Sequence, residues 1–267
     1  MSHSVGRDNS PAVALFSKVP EVTAFFWIIK VLATTVGETA ADYLNMNLGL
    51  GLQMTTLVTV AVLAVVMTVQ FRSDRYLPVV YWAAVLLISV TGTLITDNLT
   101  DVLRVPLAVS TAVFAVALVA VFTAWYRVEG TLSIHSIRTP RREIFYWSAI
   151  LVTFALGTAA GDLIAEKMNL GYTRSLIMFV VVIVVIAGAH LGVGLNAVSA
   201  FWAAYIVTRP LGASMGDLLT QPGDKGGLGM NATAVNLVFL AVIVVLVGYL
   251  TVSRADRIEN DSRALAS

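Results

Sequence analysis

Five acidic residues lie within strongly apolar stretches of this sequence. Four are regularly spaced aspartates and the fifth is a glutamate, namely Asp42, Asp97, Asp162, Asp217 and Glu38. Charged groups inside membrane spans usually face a bundle interior, a water-filled cavity or each other. Rings of carboxylates attract cations, and carboxylate oxygens suit hard ions such as Mg²⁺, Ca²⁺ and Mn²⁺. The pattern favours a cation site, and the alternative is that each aspartate hydrogen-bonds its own loop at a helix end.

The aspartates belong to a unit that occurs four times. Each unit reads aromatic residue, Trp, nine residues, Gly, four residues, Asp. The tryptophans are Trp27, Trp82, Trp147 and Trp202, and the glycines are Gly37, Gly92, Gly157 and Gly212. Successive tryptophans are 55, 65 and 55 residues apart. This rhythm predicts two similar halves, each of two units, joined by a longer polar linker.

Composition determines the class of protein. The chain of 267 residues is 58% hydrophobic and 12% charged, and its mean hydropathy is +0.84; a soluble domain has about 25% charged residues. Stretches near the length of about 20 apolar residues that crosses a bilayer occur at 22–44, 49–71, 77–99, 105–126, 144–165, 171–190, 197–219 and 231–252. The sequence predicts an all-α polytopic membrane protein of eight transmembrane helices, arranged as four parallel two-helix repeats.

Repeat boundaries and orientation follow from these spans. The predicted repeats are 22–71, 77–126, 144–190 and 197–252, with an N-terminal tail 1–21, a linker 127–143 and a C-terminal tail 253–267. Eleven Lys and Arg residues lie on the side of the two termini and four on the opposite side, with Lys30 and Arg209 inside spans. Cytoplasmic loops are enriched in Lys and Arg. Both termini are therefore expected in the cytoplasm, with the aspartates near the outer face.

The repeated unit also resembles a known family. Units one and three share the string Met-Asn-Leu-Gly, at 46–49 and 168–171, in addition to the aromatic, Trp, Gly and Asp pattern. The chain resembles the bacterial membrane-anchored protein family built of four tandem repeats of unknown function, each with two membrane helices and a characteristic tryptophan. The resemblance covers nearly the whole chain. It implies this architecture and a bacterial inner-membrane location, and it implies no chemistry.

Two charges depart from the repeat. Positions 4, 7, 11 and 15 after each tryptophan share one helix face. Glu38 occupies the position of Thr93, Thr158 and Ala213, and Arg209 occupies that of Thr34, Ser89 and Phe154. Glu38 and Asp42 are one turn apart, so together they are able to hold one proton or one cation. The alternatives are a structural hydrogen bond or an ion pair between Glu38 and Arg209. Arg209 itself is interpreted as the counter-charge of the empty site or as the cap of a turn disturbed by Pro210.

Three other features have simpler interpretations. Lys30 is expected to extend toward the cytoplasmic interface. The tryptophans are expected at the bilayer interface, with packing between repeats as an added role. The repeated glycines favour close helix approach, with local unwinding as the alternative.

Several function classes are disfavoured. The chain has no cysteine, and His3, His135 and His190 are not expected beside the aspartates, so thiol chemistry is excluded and a zinc or haem site is disfavoured. Gly-Ala-Ser-Met-Gly at 212–216 matches a nucleophile-elbow string but lies in a predicted helix, so we expect no enzymatic activity. The net charge of +1 is not concentrated in a basic patch, and nucleic acid is not an expected partner.

The sequence therefore predicts an integral membrane transporter or channel-like carrier for a hard cation, a divalent metal or a proton-coupled ion, through a carboxylate-lined pathway. Arg209, Thr93 and Thr158 are expected beside the five carboxylates. The alternative is a non-transporting membrane scaffold or sensor in which the repeated aspartates hold the outer loops. The expected partners are the lipid bilayer and a small inorganic cation or proton, and a homo-oligomer is compatible with the sequence. No cofactor is predicted apart from a bound divalent cation.

Overall fold

The computed structural model describes residues 16–46 and 51–258. All regular elements in these ranges are helical and no strand is present among them. Eight long helices follow in chain order: α1 Ala24–Met46, α2 Leu52–Arg72, α3 Pro78–Asp97, α4 Leu107–Glu129, α5 Pro140–Asp162, α6 Tyr172–Val193, α7 Ala197–Thr220 and α8 Ala232–Ser253. The predicted all-α class is confirmed. Residues 47–49 of the shared Met-Asn-Leu-Gly string, and residues 1–15 and 259–267 of the predicted tails, lie outside the described residues.

Seven of the eight helices are long and apolar enough to cross a membrane. The exception is α7, which is 24 residues long but carries Arg209 and Asp217. It packs against α1, α5 and α6, and its repeat position is that of α1, α3 and α5. These two charges make α7 less apolar than the other helices. Both face inward, because Arg209 is fully buried and Asp217 is nearly so.

The linker is shorter than the sequence predicts. The predicted linker 127–143 overlaps the end of α4 at Glu129 and the first turn of α5, which begins at Pro140. Thr139 caps α5 by accepting a hydrogen bond from the Arg142 backbone N–H, and a proline suits the first helical position. Arg141 and Arg142 bond Glu129, each at 2.6 Å. A span predicted from hydropathy ends at the first charged residues, whereas α4 and α5 continue past those residues.

The first helices of the four units form an inner ring. In this ring α1 packs on α3, α3 on α5, α5 on α7, and α7 on α1. The second helices lie outside: α2, α4 and α6 pack against the first helix of the following unit, and α8 packs against α1 of the first unit. Most of the apolar stretch of α1, α3 and α5 is buried, whereas α2, α4, α6 and α8 expose most of theirs. The four units therefore close into a ring with α8 completing the circle.

The repeated glycines are contact points of the inner ring. Each glycine lies against the residue seven positions after the tryptophan of the next unit: Gly37 against Ser89, Gly92 against Phe154, Gly157 against Arg209, and Gly212 against Thr34. A Cβ atom on Gly92 would lie 2.7 Å from the Phe154 Cβ atom. All four glycines lie within continuous helices. They therefore allow close helix approach, and the structure does not show the alternative of local unwinding.

The tryptophans pack between units. The aromatic residue before each tryptophan contacts the tryptophan of the next unit, with ring centroids 5.5 Å apart for Phe26 and Trp82, 5.4 Å for Tyr81 and Trp147, 6.2 Å for Tyr146 and Trp202, and 5.8 Å for Phe201 and Trp27. Trp82, Trp147 and Trp202 are buried. The packing between repeats that the sequence suggested is therefore observed for these three, and their depth at the bilayer interface stays a prediction.

Candidate functional site

An ion pair joins the two charges that depart from the repeat. Arg209 Nη2 lies 2.8 Å from Glu38 Oε2 and 2.6 Å from the Thr158 hydroxyl oxygen. It also bonds the Thr93 hydroxyl oxygen, and that hydroxyl donates to Glu38 Oε2 at 3.1 Å. Three of the four positions eleven residues after a tryptophan therefore meet at one guanidinium. The fourth is Ala213, whose short side chain lies one turn from Arg209 on the same helix.

The pair is almost entirely shielded from solvent. The Arg209 side chain is 0% exposed and that of Glu38 is 7% exposed. The Nε and Nη1 atoms of Arg209 have no hydrogen-bond partner among the residues that the structure describes. Pro210 follows Arg209 inside α7, but the guanidinium reaches across the ring to α1, α3 and α5. Arg209 therefore forms the ion pair with Glu38 that the sequence offered as an alternative, and it does not cap the turn at Pro210.

Three carboxylates converge beside this pair. One oxygen from each of Glu38, Asp162 and Asp217 lies within 4.8 Å of the others. Within residues 16–46 and 51–258 this is the one group of three or more described acidic or histidine side chains whose ligand atoms lie so close together. Glu38 comes from α1, Asp162 from α5 and Asp217 from α7. Because repulsion among close carboxylates is costly in a buried site, the group favours a positive partner.

The other two aspartates flank this group. Asp42 Oδ2 accepts a hydrogen bond of 3.4 Å from the Gln221 side chain, which links α1 to the end of α7. Asp97 ends α3 and interacts electrostatically with Glu38 and Asp42. Both are partly exposed. Of the five predicted carboxylates, three therefore converge, and Asp42 and Asp97 are not part of that group.

Lys30 does not reach an interface. Its side chain is fully buried, and its Nζ lies 3.8 Å from the centre of the Tyr205 ring and 4.7 Å from that of Phe154. The expectation that Lys30 extends to the cytoplasmic surface is wrong, because α3 and α7 enclose α1 on its buried face. The position of Lys30 in the repeat indicates this burial. Three residues after the tryptophans, the residues Lys30, Val85, Ile150 and Tyr205 are all fully buried.

Polar contacts close the opposite end of the ring. Lys18 Nζ lies 2.7 Å from Glu143 Oε2, and the Gln70 side chain donates to Glu143 Oε1 at 2.9 Å. The Tyr76 hydroxyl donates to Asp256 Oδ2 at 2.6 Å. These contacts tie the segment before α1 and the segment after α8 to the helix ends between them. Sequence reasoning missed this end because the contacts connect single residues that no repeat relates.

The sequence comparison identifies the repeat. The family model described as Repeat of Unknown Function (DUF347) matches residues 25–76, 80–131, 145–194 and 200–256. The chain belongs to this family. Each matched segment of the DUF347 chain covers nearly all of one inner helix and the outer helix that follows it. No curated protein and no solved structure matches the chain.

The candidate site of the DUF347 chain is asymmetric although its scaffold is repeated. Four equivalent units supply equivalent backbone positions around one axis, but the side chains at those positions differ. Glu38 and Arg209 occur once each at their repeat positions, and they meet each other. His135 and His190 line a separate apolar groove beside α6 and α7, and neither belongs to the carboxylate group.

Proposed function

We propose that this protein is a membrane carrier for a hard divalent cation, which it binds between Glu38, Asp162 and Asp217. The observation that carries the proposal is the convergence of three carboxylate oxygens within 4.8 Å beside a buried guanidinium. Asp42 and Asp97 supply further negative potential at the entrance. Thr93 and Thr158 hold Arg209 when no cation is bound.

The chemistry of the donors supports a hard ion. The converging groups offer only carboxylate oxygens, which suit Mg²⁺, Ca²⁺ and Mn²⁺ better than softer metals. Three ionised carboxylates and one guanidinium leave two negative formal charges in the group. A divalent cation neutralises them, and it replaces repulsion with coordination.

The filled axis supports a carrier and not an open channel. Arg209 and Lys30 are both fully buried between the inner helices, and each is a cation that repels a permeating cation. The aromatic contacts between units and the Lys18–Glu143 pair lie further along the same bundle. A cation bound at the carboxylates therefore needs a conformational change to cross. In the empty state Arg209 serves as the counter-charge of Glu38.

The location follows from membrane physics and from the family resemblance. We place the protein in the bacterial inner membrane with both termini in the cytoplasm, because Lys and Arg are concentrated on the side of the termini. The carboxylate end then faces outward. The lipid bilayer covers the exposed apolar faces of α2, α4, α6 and α8.

Cation binding and flux test the proposal. Purified protein is titrated with Mn²⁺, Mg²⁺ and Ca²⁺ by calorimetry and is then reconstituted in liposomes for flux measurements. We expect at least one of the three to bind and to cross, and Asp217→Asn to weaken its binding at least tenfold. Asp224→Asn is the matched control, because Asp224 is an exposed loop carboxylate.

Two results would contradict the proposal. One is a folded wild-type protein that neither binds nor moves any of the three ions, which would favour a scaffold or sensor. The other is equal loss of binding in Asp217→Asn and Asp224→Asn, which would mean that surface charge and not the converging carboxylates attracts the ion.

A further inference from the structure

A lysine side chain lies between the inner helices with no polar partner among residues 16–46 and 51–258. Lys30 is 0% exposed, and its Nζ atom has no hydrogen-bond partner in the described part of the chain. Its nearest described partners are the faces of Tyr205 and Phe154. Aromatic faces attract cations, but they do not replace the hydrogen bonds that an ammonium group loses on burial. A buried, unpaired ionisable group inside a membrane bundle is a candidate functional group.

Lys30 is linked to the carboxylate site through a shared aromatic ring. The Arg209 Cζ atom lies 5.6 Å from the centre of the Phe154 ring, and Lys30 Nζ lies 4.7 Å from the same centre. Arg209 also holds Glu38 at 2.8 Å. One guanidinium therefore contacts both the carboxylate group and the ring that carries the lysine, so its movement changes the environment of Lys30.

The helices packed around Lys30 carry several charged or titratable side chains. On α1 itself and on the other helices of the inner ring and α8, they are Glu38, Asp42, Tyr43, Tyr81, Asp97, Arg141, Arg142, Glu143, Tyr146, Asp162, Tyr205, Arg209, Asp217 and Tyr249. Of these, Tyr205 touches Lys30 and Arg209 acts on it electrostatically. Lys30 forms no ion pair with any described carboxylate.

We propose that Lys30 is the proton-coupling group of the carrier, losing one proton when a divalent cation binds at Glu38, Asp162 and Asp217. This inference rests on the proposed function. The cation replaces the guanidinium at Glu38, and Arg209 turns toward Phe154, closer to Lys30. One N–H bond of the ammonium group breaks, the amine keeps the electron pair, and the proton passes to water. When the cation leaves, Lys30 takes a proton from water and Arg209 returns to Glu38.

The charges explain why the proton leaves Lys30. An arginine keeps its proton in proteins, whereas a buried lysine changes its protonation state readily. A bound divalent cation and a displaced guanidinium raise the positive potential around Lys30, and the effect is strong in a low-dielectric interior. Release of one proton offsets one of the two added charges. The resulting cycle exchanges a cation for a proton.

Proton release on binding tests this inference directly. Detergent-solubilised protein in weak buffer is titrated with Mn²⁺, Mg²⁺ and Ca²⁺ in turn, while a pH dye records the protons released per cation bound. We expect Lys30→Met to release about one proton fewer than the wild type. We also expect its affinity to lose the component that rises about tenfold per pH unit. Lys225→Met is the matched control, because this lysine lies in an exposed loop, and it should behave as the wild type does.

A second variant distinguishes loss of the titrating group from misfolding. Lys30→Arg retains a positive charge over Tyr205 and Phe154 but cannot release its proton, so it too should release one proton fewer and bind the cation more weakly. Lys30→Met removes a charge that folding must desolvate, so we expect it to fold at least as stably as the wild type.

The outcomes separate the two proposals. A folded wild type that binds none of the three ions contradicts the carrier function and this inference with it. A wild type that binds a cation but releases no proton, or that releases as many as Lys30→Met and Lys30→Arg, contradicts the role of Lys30 alone. The carrier function then stands without it.

Discussion

The guanidinium of Arg209 lies against the carboxylate of Glu38, with 2.8 Å between Nη2 and Oε2, at the centre of four helices from four repeats. These residues are 171 positions apart in the chain. Each is the sole charged residue at its repeat position. The contact therefore joins the two side chains that distinguish the first and last units of a repeated scaffold.

Removing one partner of this pair should destabilise the protein. Glu38→Gln leaves the Arg209 guanidinium buried without a counter-charge, and such a change costs about 3–5 kcal/mol. The double variant Glu38→Gln, Arg209→Gln should recover part of that loss. Thermal unfolding in detergent measures both. A single variant as stable as the double variant would show that the pair is not energetically coupled.

Arg209→Gln should strengthen cation binding. The substitution removes a positive charge beside the carboxylate group, so a divalent ion no longer competes with the guanidinium, and we expect an increase on the order of tenfold in affinity. Calorimetric titration with Mn²⁺, Mg²⁺ and Ca²⁺ measures it. Arg254→Gln, at an exposed residue after α8, controls for net charge. Unchanged or weaker binding in a folded Arg209→Gln variant would contradict the role of Arg209 as counter-charge.

The inner ring should not tolerate a methyl group at its contact points. A Cβ atom on Gly37 would overlap the Ser89 side chain, and overpacking of this kind costs about 1–3 kcal/mol. Gly188→Ala is the matched control, because Gly188 also lies within a helix and a Cβ atom there meets nothing within 4 Å. Unfolding in detergent should show that Gly37→Ala is less stable than Gly188→Ala. Equal stability would mean that the helices are able to move apart without cost.

Asp256 should make stability depend on pH. Burial raises the pKa of its carboxyl group, although the hydrogen bond from Tyr76 opposes part of this shift. A raised pKa in the folded state stabilises the fold below the unfolded pKa of about 3.9, and this stabilisation is lost as the pH rises through the folded value. Asp256→Asn should therefore flatten the decline above about pH 4. An unchanged pH profile of unfolding would contradict this.

The orientation is open to cysteine labelling, because the natural chain has no cysteine. Asp224 and Ser253 are exposed and lie at opposite ends of the bundle, beyond α7 and at the end of α8. With both termini in the cytoplasm, Asp224→Cys should react with an impermeant maleimide on intact cells, and Ser253→Cys should react only after the cells are opened. The reverse pattern would overturn the orientation.

Much of the architecture was readable from the sequence. Apolar length determines how many helices are able to cross a bilayer, and the aromatic, Trp, Gly and Asp spacing shows that four units place equivalent residues at equal depth. Because an α-helix has a fixed rise and a fixed turn per residue, the same spacing also identified the inward face. The sequence alone also identifies Glu38 and Arg209 as charged departures from that repeat.

Only the tertiary structure determined which residues meet around the axis. Spacing along one helix specifies depth and face, but it does not specify which units are neighbours or that α8 closes the ring on α1. That closure brings Arg209 of the last unit to Glu38 of the first, and it groups Asp162 and Asp217 with Glu38 while Asp42 and Asp97 stay at the edge. It also buries Lys30, which a single helix could have extended to the surface. The physical reason is that burial and pairing of charges depend on neighbouring helices, and local sequence does not encode them.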